Sequence, residues 1–255
     1  MENLHVSSVQ FDISWENPDQ NLTYLSQFIS TIEKTNVIVL PEMFSTGFSM
    51  TPQLFENHHQ ENIISWMQNI AHTKQCAVCG SIIFKEKDTY YNRFLWIDET
   101  GQKIYYNKTH LFSLAGEEKV YQKDTTVAPI IHYKEWKIYP QICYDLRFPE
   151  SSRNIQTKNY DLLIYVANWP ERRSYAWNTL LKARAIENLS YVIATNRVGN
   201  DINQVNHSGD SQILNFEGNI LKLAEKNTIQ IVQTLLSKTK LIQFREKFSF
   251  LEDQI

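Results

Sequence analysis

Short runs of apolar, largely β-branched residues, set apart by amphipathic stretches, constrain this chain more than any other feature. Val37-Ile-Val-Leu40, Leu162-Leu-Ile-Tyr-Val-Ala167 and Tyr191-Val-Ile-Ala-Thr195 carry almost no polar face, which predicts strands covered on both sides. Asn17-Pro18 offers a cap and a first turn for a helix reaching about residue 34, with Leu22, Leu25, Phe28, Ile29 and Ile32 at helical spacing. Further helices are predicted over 62–73, over 175–188 and at the C-terminus. Strands are predicted over 6–13, 77–84, 92–97, 103–106, 136–142 and 229–235, and Glu217-Gly218 marks a hairpin between 212–216 and 219–223. Strands divided by helices, with some antiparallel hairpins, give an α/β fold in which helices cover a mixed sheet. No linker, repeat or low-complexity tract interrupts the pattern, so residues 1–255 read as one domain.

Composition serves mainly to exclude. A net charge of −3, with no basic run interleaved with aromatics, gives nucleic acid no electrostatic footing. The apolar runs are too short to span a bilayer. The opening Met-Glu-Asn-Leu-His lacks the charged-then-apolar order of a signal peptide. Three cysteines, an odd and sparse count, suit a reducing compartment. The expectation is a cytoplasmic protein with no nucleic-acid or membrane partner.

Chemistry gathers at strand ends. The predicted strand Trp136-Lys-Ile-Tyr-Pro-Gln-Ile142 stops at Cys143, and Pro149 follows as a candidate first helical residue. A lone free cysteine is ordinarily a small core residue. A thiol between a strand and a helix N-terminus, however, is held rigidly near backbone N–H groups, conditions expected to lower its pKa. Val37-Ile-Val-Leu-Pro41 ends at Glu42, and Lys103-Ile-Tyr-Tyr-Asn107 ends at Lys108. Alone, Glu42 could cap a turn and Lys108 could be a solvated surface lysine. In open α/β sheets, functional groups cluster beyond the carboxyl ends of strands, where the three could meet. Attack on an unactivated carbonyl needs a nucleophile, a base that later serves as acid, and a positive donor for the oxyanion.

The motifs resemble the nitrilase superfamily of carbon–nitrogen hydrolases. The resemblance rests on Leu40-Pro-Glu-Met-Phe44, Asn107-Lys-Thr-His-Leu-Phe112, Ile142-Cys-Tyr-Asp-Leu-Arg-Phe-Pro149, Tyr165-Val-Ala-Asn-Trp-Pro170, Lys182-Ala-Arg-Ala-Ile-Glu-Asn188 and Asn196-Arg-Val-Gly199, in this order and across nearly the whole chain. Cys-Tyr-Asp-Leu-Arg-Phe-Pro together with Ala-Asn-Trp-Pro is most similar to the bacterial ω-amidase branch, whose members act on 2-oxoglutaramate and related dicarboxylate monoamides. The resemblance implies a four-layer α-β-β-α sandwich with mixed sheets, acting as a homodimer or higher homo-oligomer on a small-molecule amide. It also implies that no metal, nucleotide or organic cofactor is needed. It places the general base on Glu42, the catalytic lysine on Lys108 and the nucleophile on Cys143. A second glutamate falls in Ala115-Gly-Glu-Glu-Lys-Val-Tyr121, on Glu117 or, one residue later, on Glu118. The backbone N–H of Tyr144 is the expected oxyanion donor. Arg173, or its neighbour Arg172, is the expected partner of a distal substrate carboxylate. Trp169 and Phe44 are expected to wall the pocket, and Arg147 to brace the loop through a carboxylate.

Other signals carry less. Cys76-Ala-Val-Cys79 has redox or zinc half-site spacing, but an odd separation on a strand sends the two thiols to opposite faces. His58-His59 sit side by side in a polar loop. His110 and His207 leave a Cys–His hydrolase as the rival enzyme; independently of them, the resemblance leaves another nitrilase-family hydrolase acting on a nitrile, an N-carbamoyl compound or an aliphatic amide, or a retired, non-catalytic binding subunit, as alternatives.

Overall fold

The computed structural model describes residues 2–55 and 58–253. Strands β1 (Leu4–Gln10), β2 (Val37–Val39), β3 (Ala77–Glu86), β4 (Thr89–Ile97) and β5 (Lys103–Asn107) come from the first half of the chain. The second half supplies β6 (Ile131–Tyr133), β7 (Trp136–Ile142), β8 (Leu162–Ala167), β9 (Tyr191–Asn196), β10 (Val198–Asn200), β11 (Asn206–Ser208), β12 (Gln212–Leu214), β13 (Ile220–Leu223) and β14 (Gln230–Leu236). The α-helices are α1 (Pro18–Ser30), α2 (His59–Lys74), α3 (Pro149–Ser152), α4 (Ser174–Glu187) and α5 (Lys238–Lys247).

Two six-stranded mixed sheets result, ordered β14-β1-β2-β3-β4-β5 and β13-β12-β9-β8-β7-β6, with β10 and β11 as a separate ribbon. Each sheet has three consecutive parallel strands at its centre, β1-β2-β3 and β7-β8-β9. Alternation along the short strands stacks the layers. Val37 and Val39 join the core shared with the second sheet, whereas Ile38 joins the core under α1 and α2. Ser8 on β1 reaches Thr195 on β9 across the inner space, with their hydroxyl oxygens 2.6 Å apart. The outer face of the second sheet is covered by Trp177, Leu181 and Ala185 of α4 and Leu241 of α5. The fold is the expected four-layer α-β-β-α sandwich.

Local chemistry sets the boundaries. Asn17 caps α1 through its side chain, accepting from the Gln20 N–H at 3.2 Å, and Pro18 opens the helix. The helix stops at Ser30 rather than near residue 34. The Thr31 hydroxyl turns back onto the Phe28 carbonyl, a bond that competes with continuation. The expected strand over 212–216 is shortened to Gln212–Leu214, because the Asn215 side chain accepts from the Glu217 and Asn219 N–H groups and makes its own turn. Gly218, at φ 80°, completes that turn in a conformation that suits glycine. The edge strand β6 and the β10–β11 ribbon, three residues each, carry too little pattern to be read from sequence. Among the described residues no helix is long and apolar enough to cross a membrane.

Candidate active site

The C-terminal ends of β2, β5, β7 and β8 converge on one point between the sheets. Cys143 follows β7 directly and opens a 3₁₀ turn over Cys143–Arg147, after which Pro149 starts the four-residue α3. The expected strand–thiol–helix order is therefore present, but a 3₁₀ turn intervenes and the following helix is very short. Cys143 sits at φ 44°, a left-handed conformation that costs a non-glycine residue energy and turns the chain sharply.

Asp145 holds this elbow. Its buried carboxylate accepts from the Ile142 N–H at 3.0 Å, the Tyr106 hydroxyl at 2.8 Å and the His110 N–H at 3.0 Å, with the His110 ring nitrogen at 2.8 Å. The thiol turn is thus tied to the segment that carries Lys108. From the far side the Arg184 guanidinium donates to the Leu146 carbonyl at 2.7 Å and pairs with Glu187 at 2.9 Å. The Lys182-to-Asn188 motif therefore props the elbow rather than touching the reacting atoms.

Lys108, Glu42 and Glu117 are all buried. The Lys108 ammonium donates to Glu42 Oε1 at 2.8 Å and to Glu117 Oε2 at 2.9 Å. Asn92 Nδ2 donates to the same two carboxylates, at 2.8 and 3.1 Å. The Phe112 N–H fixes Glu117 at 2.6 Å, and the Asn168 N–H fixes Glu42 Oε2 at 2.9 Å. Gly116, left-handed at φ 76°, turns the loop so that Glu117 points inward and Glu118 stays exposed. Of the two neighbouring glutamates, it is Glu117 that pairs with Lys108.

The Cys143 thiol lies in the field of the Glu42 carboxylate and the Lys108 ammonium. Burial, then the Glu42 charge, raise its pKa well above the ordinary thiol value, with Lys108 opposing. This corrects the expectation of a lowered pKa. The short 3₁₀ turn supplies little dipole, and the neighbouring carboxylate outweighs the ammonium. At rest, Cys143 is held as the neutral thiol. Burial disfavours the Lys108 ammonium, but Glu117 and Glu42 outweigh it and hold the lysine charged. Burial raises the Glu117 pKa, Lys108 opposes this, and Glu42 adds to the rise. Neither histidine bonds to the thiol in the described structure. His110 stacks on Phe148 at 3.9 Å, and His207 bonds through Nδ1 to the Val205 carbonyl at 2.9 Å.

A cavity of ≈ 530 Å³ opens from Cys143. Its walls include Phe48, Tyr144, Trp169, Arg147, Arg172 and Arg173. The Tyr144 N–H lies in the first turn of a 3₁₀ segment, where N–H groups have no partner within the turn. Trp169 lines this cavity and is braced by its Nε1–H, which donates to the Arg173 carbonyl at 2.8 Å. Phe44 does not. It is fully buried on the helix side of the first sheet, 5.9 Å from the Trp66 ring. Gly80 leaves the room for it, since a Cβ there would lie 2.8 Å from a Phe44 ring carbon. Four residues along the same loop, Phe48 forms the wall instead, with the Lys108 ammonium 5.1 Å from its ring centroid. The expected carboxylate partner of Arg147 is also absent among the described residues. Its guanidinium lies over Trp169, 5.1 Å from the ring centroid. Cys76 and Cys79 fall into different cores, on opposite faces of the first sheet, as their spacing required.

Asn92, Asp145, Asn168 and Phe48 were not assigned roles from sequence. Asn168 lies inside a quoted motif, whereas Asn92 gave no local signal, because its role depends on two carboxylates distant in the chain.

A family model described as carbon-nitrogen hydrolase matches residues 5–246. The ω-amidase YafV of Escherichia coli (strain K12) is 37% identical over 253 residues, covering 99% of this chain and 97% of that protein. The 2-oxoglutaramate amidase of Bacillus subtilis (strain 168) is 33% identical over 220 residues, 85% of this chain and 84% of its own. A CN-hydrolase superfamily protein from Xanthomonas campestris, solved with an arsenic adduct in its active site, is 35% identical. It superimposes with a TM-score of 0.95 over 100% of this chain and 98% of its own.

Proposed function

The chain belongs to the carbon–nitrogen hydrolase family, and on that premise we propose that it hydrolyses the terminal amide of a small dicarboxylate monoamide to the acid and ammonia. The observation that carries this reading is the buried, hydrogen-bonded set Glu117–Lys108–Glu42 beside Cys143, which itself opens onto an arginine-lined cavity. The names borne by the E. coli and B. subtilis relatives support the same substrate class.

In this reading the amide carbonyl faces the Lys108 ammonium and the Tyr144 N–H. Glu42 takes the thiol proton as Cys143 sulfur adds to the carbonyl carbon, because the raised thiol pKa leaves little thiolate in advance. Each oxyanion donor contributes about 3–4 kcal/mol in the transition state. Glu42 returns the proton to the amide nitrogen, the carbon–nitrogen bond breaks, and ammonia leaves a thioester. Water then gives a proton to Glu42 and adds to the thioester. The carbon–sulfur bond breaks, and the proton passes from Glu42 back to sulfur. Glu117 positions Lys108 throughout. The distal carboxylate docks on Arg173 under the Trp169 wall.

Residues 1–255 act as a single catalytic domain. Tyr175 and Ile186, 84% and 52% exposed on α4, suit burial against a second copy in a homodimer. Three unpaired cysteines suit the cytoplasm. Ammonia release from 2-oxoglutaramate, succinamate and a simple aliphatic nitrile tests the reading, with the two monoamides expected to be preferred. Turnover confined to the nitrile, or retained by Cys143→Ala, overturns it.

A further inference from the structure

The cavity mouth carries more positive charge than one carboxylate requires. Arg147, Arg172 and Arg173 all line the space that opens from Cys143. Among the described residues no carboxylate lies within ion-pair distance of any of the three. The acidic residue in that lining, Asp201, is engaged in its own turn, its Oδ1 accepting from the Asn203 and Val205 N–H groups at 2.8 and 2.9 Å.

Two of the arginines are held in place without being neutralised. The Arg147 guanidinium lies 5.1 Å from the Trp169 ring centroid, and the Arg173 guanidinium 5.0 Å from that of Phe112. Stacking orients a planar fork while leaving its N–H edge free. Burial, then Arg172 and Arg147, push the Arg173 pKa down. Cations that repel one another in a partly enclosed site gain stability when an anion enters.

The two forks reach the cavity from separate elements. Arg147 closes the same 3₁₀ turn that Cys143 opens, and both residues line the cavity. Arg173 arrives instead from the turn after β8. A saturated monoamide offers two oxygens at its far end, which one fork can satisfy. A 2-oxo acid offers three neighbouring oxygens, more than one guanidinium can engage bidentately.

We propose that Arg147 is a specificity-determining residue that reads the 2-oxo acid head of the substrate, an assignment that rests on the amidase function proposed for the same site. Its fork spans the 2-oxo oxygen and one carboxylate oxygen, while Arg173 takes the carboxylate. Arg147 thereby makes the site prefer a 2-oxo monoamide to the saturated monoamide of equal length.

The test compares kcat/KM for 2-oxoglutaramate and glutaramate, which differ only in the 2-oxo group, in the wild type, Arg147→Gln and Arg147→Lys. The wild type favours 2-oxoglutaramate. Arg147→Gln lowers that preference by roughly 10- to 100-fold, the loss expected for hydrogen bonds made by a charged group. Arg147→Lys recovers part of it. A merely structural role would depress both substrates together, so an unchanged ratio in Arg147→Gln overturns the assignment while leaving the amidase reading intact. A wild type that does not discriminate between the two acids also overturns it. A wild type inactive on both, yet active on a neutral nitrile, removes the amidase reading and this inference with it.

Discussion

Glu42→Gln separates two roles that a base beside a thiol can play: removing the proton during attack, and setting how much thiolate exists beforehand. The Glu42 carboxylate receives the Lys108 ammonium at 2.8 Å, Asn92 Nδ2 at 2.8 Å and the Asn168 N–H at 2.9 Å. Every partner is a donor. A glutamine of the same shape accepts with one oxygen only, and its NH₂ then opposes at least one of those donors, at a cost of about 1–3 kcal/mol. The Lys108–Glu117 pair survives, and one of two mutually repelling buried carboxylates disappears, so the fold is expected to remain. Turnover is expected to fall about 10²- to 10⁴-fold, the usual contribution of a positioned general base, or roughly 3–5 kcal/mol in the barrier. The thiol moves the other way. Glu42 raises the Cys143 pKa through its charge, and Lys108 lowers it. Removing Glu42 therefore shifts Cys143 ionisation to lower pH. Alkylation of Cys143 by iodoacetamide, followed by peptide mass spectrometry across pH, reads that shift. The expected result is an enzyme that has lost turnover yet alkylates faster at neutral pH. A midpoint that moves upward, or turnover within tenfold of wild type, refutes the reasoning.

Two other outcomes follow from the buried groups. Asp145→Asn keeps the shape of the elbow's anchor but places an NH₂ against the Ile142, Tyr106 and His110 donors. It is expected to lower stability in urea by about 2–4 kcal/mol and to reduce kcat more than it raises KM. The three thiols should make the protein sensitive to alkali. Burial raises the pKa of Cys76 to about 12 and holds Cys79 and Cys143 well above their ordinary value. The folded state therefore keeps protons that the unfolded chain releases near pH ~8.5. Stability is fully present below that pH and falls above it, by about 1.4 kcal/mol per pH unit for each thiol once the unfolded chain has ionised. Urea titrations between pH 8 and 10 should show this fall, and Cys76→Ala should flatten it by one proton's worth. An unchanged slope in that variant would contradict the burial argument.

Much of the architecture was legible because burial writes itself into local pattern. Val37-Ile-Val, Leu162 to Ala167 and Tyr191 to Thr195 are apolar on both faces because each is sandwiched between a helix layer and another sheet. Asn17-Pro18 and Glu217-Gly218 act within a few residues of themselves and were readable for the same reason. Glu42, Lys108 and Cys143 stood out as chemically capable residues ending apolar strands, and the opposite faces of Cys76 and Cys79 followed from strand period alone.

What sequence spacing did not contain is direction and net field. Phe44 and Phe48 lie in one loop, yet Gly80 opens a space behind the first sheet that takes Phe44 and leaves Phe48 for the cavity. Glu117 and Glu118 are adjacent, and the left-handed Gly116 decides which of them meets Lys108. The sequence by itself determined the layered fold and singled out three chemically capable residues at strand ends. The tertiary structure alone decided that the thiol's pKa rises rather than falls, and that Arg147 faces the cavity instead of an acid. Local pattern records which side chains avoid water. The charge a thiol feels depends on groups 35 and 101 residues away in the chain, at Lys108 and Glu42, brought to it only when the two sheets close.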